Sequence, residues 1–127
     1  MDPDLIKFGL DAPQSYRDAS EEERNESYNG CGPEWMPEWI RKELDRIVIY
    51  LKETVRIHDW QYDKEEKTAE NKKQADDWLY ENGRKQIAYY FKWYRQPRMY
   101  VKYRLILRAM HIAVQEGGDT AFYTEEK

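Results

Sequence analysis

The chain has 127 residues, enough for one domain whose core needs no metal or disulfide to hold it together. Hydrophobic residues make up 40% of it and charged residues 36%. No apolar run reaches the roughly 18–20 residues of a membrane-spanning helix, so the composition indicates a soluble globular protein.

The N-terminal sequence and the cysteine content bear on location. The first residues, MDPDLIKFGLDAPQ, carry acids and a proline where a signal peptide has a basic stretch followed by an apolar one. Cys31 is the only cysteine, which excludes an internal disulfide. We therefore expect no signal peptide and a reducing location, either the cytoplasm or a virion assembled there.

Residues 1–19 are predicted to form an irregular N-terminal arm, because two prolines and Gly9 interrupt them. Ser20 and Glu23 then have the spacing of a capping box, so a short helix is expected to begin a single helical domain over residues 20–127. The segment NGCGP, residues 29–33, predicts a loop, since Asn and Gly tolerate positive φ and Pro cannot continue a helix.

Three long helices are predicted after this loop. The first runs from Pro37 to about Asp63, the second from about Glu70 to Arg95 with Pro97 ending it, and the third from about Met99 to Gln115, before two consecutive glycines. Spacings of three and four residues define a stripe on the first helix and a face on the second. The stripe comprises Leu44, Val48, Leu51, Val55, His58 and Tyr62; the face comprises Asp76, Leu79, Gly83, Ile87 and Tyr90.

The fold is therefore predicted to be mostly α, because no strand-like alternation of useful length occurs. The connection between the first two long helices is short, which favours antiparallel packing. A third, C-terminal helix completes the domain.

Two polar residues on these apolar faces are the candidates for chemistry. An isolated histidine such as His58 is more often a core residue than a catalytic one. Asp76, however, is an acid on a buried face and needs a partner, and antiparallel packing brings it towards His58 and Tyr62. A carboxylate that accepts from one imidazole nitrogen leaves the other free as a general base. The residues alone thus indicate either a His–Asp dyad supported by Tyr62 or a buried polar network.

The segment HDWQY, residues 58–62, resembles the H-D-x-C-Y core of secreted phospholipases A2, with Gln61 in the place of the cysteine. The segment YNGCGP, residues 28–33, is similar to the calcium loop of that family, and DDWLY, residues 76–80, to its second aspartate segment. The sequence most resembles short, disulfide-free phospholipase A2-like proteins of bacteria and their phages, over about residues 28–123. Their late helix ends near G-G-x-x-x-F, here with Phe122 as the phenylalanine.

This resemblance implies a phospholipase A2-like fold and a hydrolase of lipid degradation. His58 would activate a water that attacks the sn-2 ester of a glycerophospholipid, Asp76 would orient His58, and Tyr62 would support Asp76. The implied cofactor is Ca²⁺, and the implied partner is a phospholipid or membrane surface, with other virion proteins as a further option. The implied calcium ligands are the Asp59 carboxylate and backbone carbonyls of Asn29, Gly30, Cys31 and Gly32.

The net charge of −4 hides an asymmetry. Residues 82–115 contain no acid but eight basic residues: Arg84, Lys85, Lys92, Arg95, Arg98, Lys102, Arg104 and Arg108. With the interleaved aromatic residues, they could hold anionic lipid headgroups or nucleic acid. We favour a solvated face whose charges meet the acidic remainder of the chain.

Three other features have simple explanations. Trp35, Met36 and Trp39 are either an interfacial rim or, as we favour, packing of the loop onto the core. His111 is predicted to be a core residue. Cys31 lacks the companions of a thiol nucleophile.

Three functions follow from these patterns. The first is a Ca²⁺-assisted lipid esterase of phospholipase A2 type, encoded by a phage or prophage and located in the bacterial host cytoplasm or the virion. The second is a non-catalytic virion or host-interacting protein that keeps the scaffold. A nucleic-acid-associated protein is the weakest of the three.

Overall fold

The computed structural model describes residues 3–28, 38–117 and Phe122, apart from the side chains at positions 3, 4, 40, 41, 44 and 48. Within these residues it contains helices and no strands, so the predicted mostly α class is confirmed. The helices are α1 (Pro3–Phe8), α2 (Gln14–Asp18), α3 (Glu21–Glu26), α4 (Glu38–Lys64), α5 (Ala69–Tyr90) and α6 (Pro97–Gly117).

The long helices α4 and α5 form an antiparallel pair. Thr54 of α4 hydrogen-bonds Gln86 of α5 at 2.5 Å, whereas Tyr62, further along α4, bonds Asp76, which comes earlier in α5. Thr68 begins α5 by accepting a hydrogen bond from the backbone N–H of Asn71. Such a cap satisfies one of the free N–H groups of the first helical turn.

The third long helix, α6, lies against α5. Gly83 makes this possible, because a Cβ atom there would stand only 2.6 Å from Cδ1 of Leu107, a fully buried residue of α6. The main core lies where the three long helices meet. Its buried members are Ile47, Leu51, Val55, Leu79, Ile87, Phe91, Tyr103, Ile106, Leu107, Met110 and Val114.

The predicted stripe of α4 is found to be its inner face where it is described. Leu51, Val55 and His58 are buried, and Tyr62 is half-buried. The side chains of Leu44 and Val48 lie outside the described part of the chain.

The prediction that residues 1–19 form an irregular arm is wrong for two segments. Residues 3–8 and 14–18 are the helices α1 and α2. Leu5, Leu10 and Tyr16 are buried in a second, smaller core against Ile57 and Trp60 of α4. Each helix is at most six residues long, which is too short to produce a periodic pattern that the sequence could reveal.

The second long helix ends earlier than predicted, at Tyr90 instead of Arg95. Phe91 adopts an extended conformation and is buried in the main core, so the chain leaves the helical path there. Pro97 does not end α5; it is the first residue of α6, where its missing N–H costs no hydrogen bond. The capping box at Ser20 and Glu23 is confirmed, with both hydrogen bonds formed.

Candidate active site

The antiparallel pairing of α4 and α5 brings His58 and Asp76 into contact. Nε2 of His58 lies 3.0 Å from Oδ1 of Asp76. The side chain of His58 is 9% exposed and that of Asp76 2%, so the contact is almost entirely shielded from water. A hydrogen bond of this kind is stronger in such surroundings than at the surface.

Tyr62 lies one turn after His58 and completes the predicted group of three. Its hydroxyl donates to the same oxygen, Oδ1 of Asp76, at 2.7 Å. Its ring packs on the imidazole with the two ring centres 4.3 Å apart, and it contacts the buried ring of Phe122 at 5.1 Å. Tyr62 therefore fixes both the carboxylate and the imidazole plane.

Lys72 is a fourth member of the site and was not predicted from the sequence. Its ammonium donates to Oδ2 of Asp76 at 2.7 Å and to the backbone carbonyl of Val114 in α6 at 2.9 Å. Lys72 and Asp76 have the spacing of a helical ion pair, which is a signal in the sequence. The next residues, Lys73 and Asp77, have the same spacing but are an exposed pair, so spacing alone could not identify the buried one.

These contacts determine the charge of the site. Burial by itself would raise the pKa of the Asp76 carboxyl, because a charge is costly away from water. The hydrogen bond and charge of His58, together with the hydrogen bonds from Lys72 and Tyr62, outweigh burial and lower this pKa below its ordinary value. Asp76 is therefore a carboxylate at neutral pH.

This arrangement determines which ring nitrogen of His58 carries the proton. Since the Asp76 carboxylate can only accept, Nε2 of His58 carries the proton of a neutral ring and Nδ1 is left with its lone pair. No residue of the described ranges forms a hydrogen bond with Nδ1. An imidazole held in this way can take a proton from a water molecule, as in other His–Asp pairs.

Asp59 is the one implied calcium ligand that lies within the described residues. It is half-buried and lies on the face of α4 that also carries Lys52, Arg56 and Asp63. The chain just before the predicted loop runs along this face, because the hydroxyl of Ser27 donates to Asp63 at 2.5 Å and the ammonium of Lys52 stands over the ring of Tyr28.

The other implied ligands, Asn29, Gly30, Cys31 and Gly32, lie outside the described residues. Within the described part of the chain, no three His, Cys, Asp or Glu side chains come together as a metal site would need. Apart from the position of Asp59, the calcium site that the resemblance implies therefore stays a prediction.

The remaining candidates have separate positions. His111 is buried, as predicted for a core residue, and also contacts Asp77 at 3.4 Å and Arg108 at 3.2 Å. Trp39 is exposed, so the expected packing of this residue onto the core is wrong; Trp35 and Met36 lie outside the described residues. Some basic residues of the segment 82–115 form ion pairs with acids outside it. The ammonium of Lys85, for example, lies 3.5 Å from the carboxylate of Asp11.

Comparisons with known proteins give no relative: no protein-family model, no curated protein and no solved structure matches the chain. None of the helices in the described ranges combines the length and the apolar character needed to cross a bilayer.

Proposed function

We propose that the chain is a lipid esterase of phospholipase A2 type. The observation that carries this proposal is the contact of Asp76 with Nε2 of His58, on the oxygen that also accepts from Tyr62. This is the arrangement that a histidine needs in order to act as a general base through its other nitrogen.

Each residue of the site has a separate role in the proposed reaction. Nδ1 of His58 takes a proton from a water molecule as the water oxygen attacks the carbonyl carbon of the sn-2 ester. The Asp76 carboxylate stabilises the imidazolium that forms, and Tyr62 and Lys72 hold that carboxylate in place. When the ester bond breaks, the imidazolium returns its proton to the departing alkoxide, so the ring is neutral again after each turnover.

The proposal includes Ca²⁺, held by Asp59 and the carbonyls of Asn29, Gly30, Cys31 and Gly32. When bound there, it supplies positive charge for the oxyanion of the tetrahedral intermediate.

The test is hydrolysis of phospholipid vesicles by the purified chain, with Ca²⁺ and with a chelator. We expect fatty acid release that needs Ca²⁺ and falls by at least about a hundredfold in His58→Gln, the loss typical of a missing general base. His111→Gln is the matched control, because His111 is equally buried and also contacts an aspartate. No release by the wild-type chain in either condition, or equal losses in the two variants, would contradict the proposal.

One observation favours a second candidate, a non-catalytic virion or host-interacting protein. Both carboxylate oxygens of Asp76 accept hydrogen bonds, and Lys72 connects Asp76 to the backbone of α6. The same network can therefore serve to hold the three long helices in register without any catalysis. On this account the wild-type chain releases no fatty acid, and His58→Gln lowers the melting temperature without any activity to lose.

A further inference from the structure

An open apolar trough lies between the first turns of α4 and of α6. Its volume is about 680 Å³. Trp39 of α4 and Pro97, Val101, Leu105 and Ile106 of α6 form most of its lining. Trp39 precedes His58 by nineteen residues on one helix, so at roughly 1.5 Å per residue the trough lies about 28 Å from the candidate active site.

The lining of the trough is unusually exposed for apolar side chains. Trp39 is 58% exposed, Val101 53% and Leu105 66%. Val101 and Leu105 are one helical turn apart and form a continuous outer strip, while Ile106 beside them is buried in the main core. Contiguous exposed apolar surface of this kind marks a binding site more often than isolated apolar residues do.

Two cations of α6 lie beside this apolar floor. Arg98 and Lys102 line the trough one turn apart, and Arg98 forms no ion pair with any described residue. Because α6 begins at Pro97, the positive end of its helix dipole lies beside Arg98. Among the described residues, Glu43 is the one acid that lines the trough. Its Oε1 pairs with Arg46 at 3.1 Å, and its buried Oε2 has no hydrogen-bond partner among the residues that the structure describes and lies 3.9 Å from Lys102.

We propose that this trough binds a single-chain anionic amphiphile of the fatty-acid class. The chain lies along Trp39, Val101 and Leu105, and the carboxylate lies between Arg98 and Lys102. The proposal does not rest on hydrolysis at His58, because the trough is at the other end of α4 and is built from other residues.

The shape and charge of the trough favour this occupant over the alternatives. Its volume falls within the range of sites for small ligands, about 300–1,000 Å³. A second copy on this face would bring two lining cations from each chain into one interface with only one lining acid from each, which leaves excess positive charge. A flat bilayer would contact the rims and leave the concave floor uncovered.

The experiment is calorimetric titration of the full chain with laurate below its critical micelle concentration. We expect saturable binding, which weakens at least about tenfold in Leu105→Asp, where a charge replaces apolar floor, and in Arg98→Glu, where the head group loses its cation. Ile49→Asp is the matched control, because Ile49 is an equally exposed apolar residue of α4 that does not line the trough. Dodecanol, which has the same chain without the charge, should bind more weakly than laurate.

The other outcomes would overturn the proposal. Wild-type chain that binds no laurate, or Leu105→Asp and Ile49→Asp chains that bind it alike, would exclude this site. Binding to vesicles of anionic phospholipid without binding of monomeric laurate would assign the surface to a membrane. A dimer that Leu105→Asp dissociates, in a chain that binds no laurate, would assign it to a second copy. Circular dichroism of each variant separates loss of binding from loss of fold.

Discussion

Lys72 and Lys73 are adjacent residues of α5, and each forms an ion pair with the aspartate four residues later. Their surroundings differ completely: the Lys72 side chain is 8% exposed and the Lys73 side chain 77%. A comparison of these two lysines therefore separates the effect of burial on stability from the effect of sequence spacing. A surface pair contributes little, whereas a buried pair that loses one partner leaves a charge without compensation.

We expect Lys72→Met to lower the free energy of unfolding by about 3 kcal/mol, because it removes a donor from Asp76 and the contact with the backbone of α6. Lys73→Met is the control and should change the stability little. Urea denaturation of the two variants measures the difference. Equal midpoints would show that Lys72 does not support the site.

The pH dependence of stability gives a second test at this scale. Because the pKa of Asp76 is lowered on folding, its contribution is fully present above the pKa of an unfolded aspartate, about 3.9, and is lost as the pH falls through the folded value below it. The wild-type chain should therefore lose more stability than Asp76→Asn as the pH is lowered from about 5 to about 2. Parallel stability curves for the two chains would contradict this assignment.

The residues of the site were predictable to different degrees. His58, Tyr62 and Asp76 could be found because each stands on an apolar face, where a polar side chain needs a partner. Lys72 could not, since its neighbour Lys73 has the same spacing to an acid. Only the packing of α6 decides which of the two lysines is buried, and that packing involves residues some forty positions later in the sequence.

At the scale of elements, the contact between α5 and α6 depends on Gly83. Its missing side chain lets Leu107 approach, and Leu107 is fully buried, so it has little room to move. Helix propensity acts in the opposite direction, because alanine is favoured over glycine within a helix by about 1 kcal/mol.

We expect Gly83→Ala to destabilise the chain by about 1–2 kcal/mol, because overpacking outweighs the gain in propensity. Ala88→Gly, at an exposed position of the same helix, measures the propensity term alone. Thermal unfolding of both variants gives the comparison. A Gly83→Ala chain that is more stable than wild type would show that α6 is not packed closely against α5 at this point.

A buried polar contact attaches the short helix α2 to α4. The hydroxyl of Tyr16 donates to the carboxylate of Glu53 and accepts from Nε of Arg56 at 3.0 Å. Burial and the neighbouring Glu53 raise the pKa of Tyr16 well above its ordinary value, so the hydroxyl keeps its proton. This contact attaches the N-terminal segment to α4.

Tyr16→Phe should lower the free energy of unfolding by about 1–3 kcal/mol, since two buried charged groups each lose a hydrogen bond. Tyr94→Phe, which removes the hydroxyl of a largely exposed tyrosine, is the control and should have no measurable effect. Chemical denaturation measures both. A loss of stability in Tyr94→Phe as large as that in Tyr16→Phe would refute this role for the buried hydroxyl.

The elements were predictable in proportion to their length. The three long helices follow from repeated apolar spacing, and their starts and ends lie within a few residues of the predicted ones, except at Phe91. There the burial of one aromatic side chain in the main core overrides the helical pattern. The helices α1 and α2 are recognisable only from their contacts with Ile57 and Trp60, which no local pattern shows.

At the scale of the whole molecule, the two proposed sites lie towards opposite ends of α4. The His58 network lies near the end of α4 and depends on all three long helices, whereas the trough lies near the start and uses the outer surface of α6. The acid-free stretch of residues 82–115 supplies the cations of the trough. Under this proposal, part of the positive charge of residues 82–115 binds the head group of the ligand instead of pairing with acids elsewhere in the chain.

The claim on which the proposed function depends is that Asp76 fixes the tautomer of His58. Nitrogen NMR of the ¹⁵N-labelled chain, under conditions where the ring is neutral, distinguishes the two ring nitrogens directly. Our account predicts that His58 carries its proton on Nε2 and a bare lone pair on Nδ1, and that Asp76→Asn abolishes this preference. A proton found on Nδ1 in the wild-type chain would contradict the account.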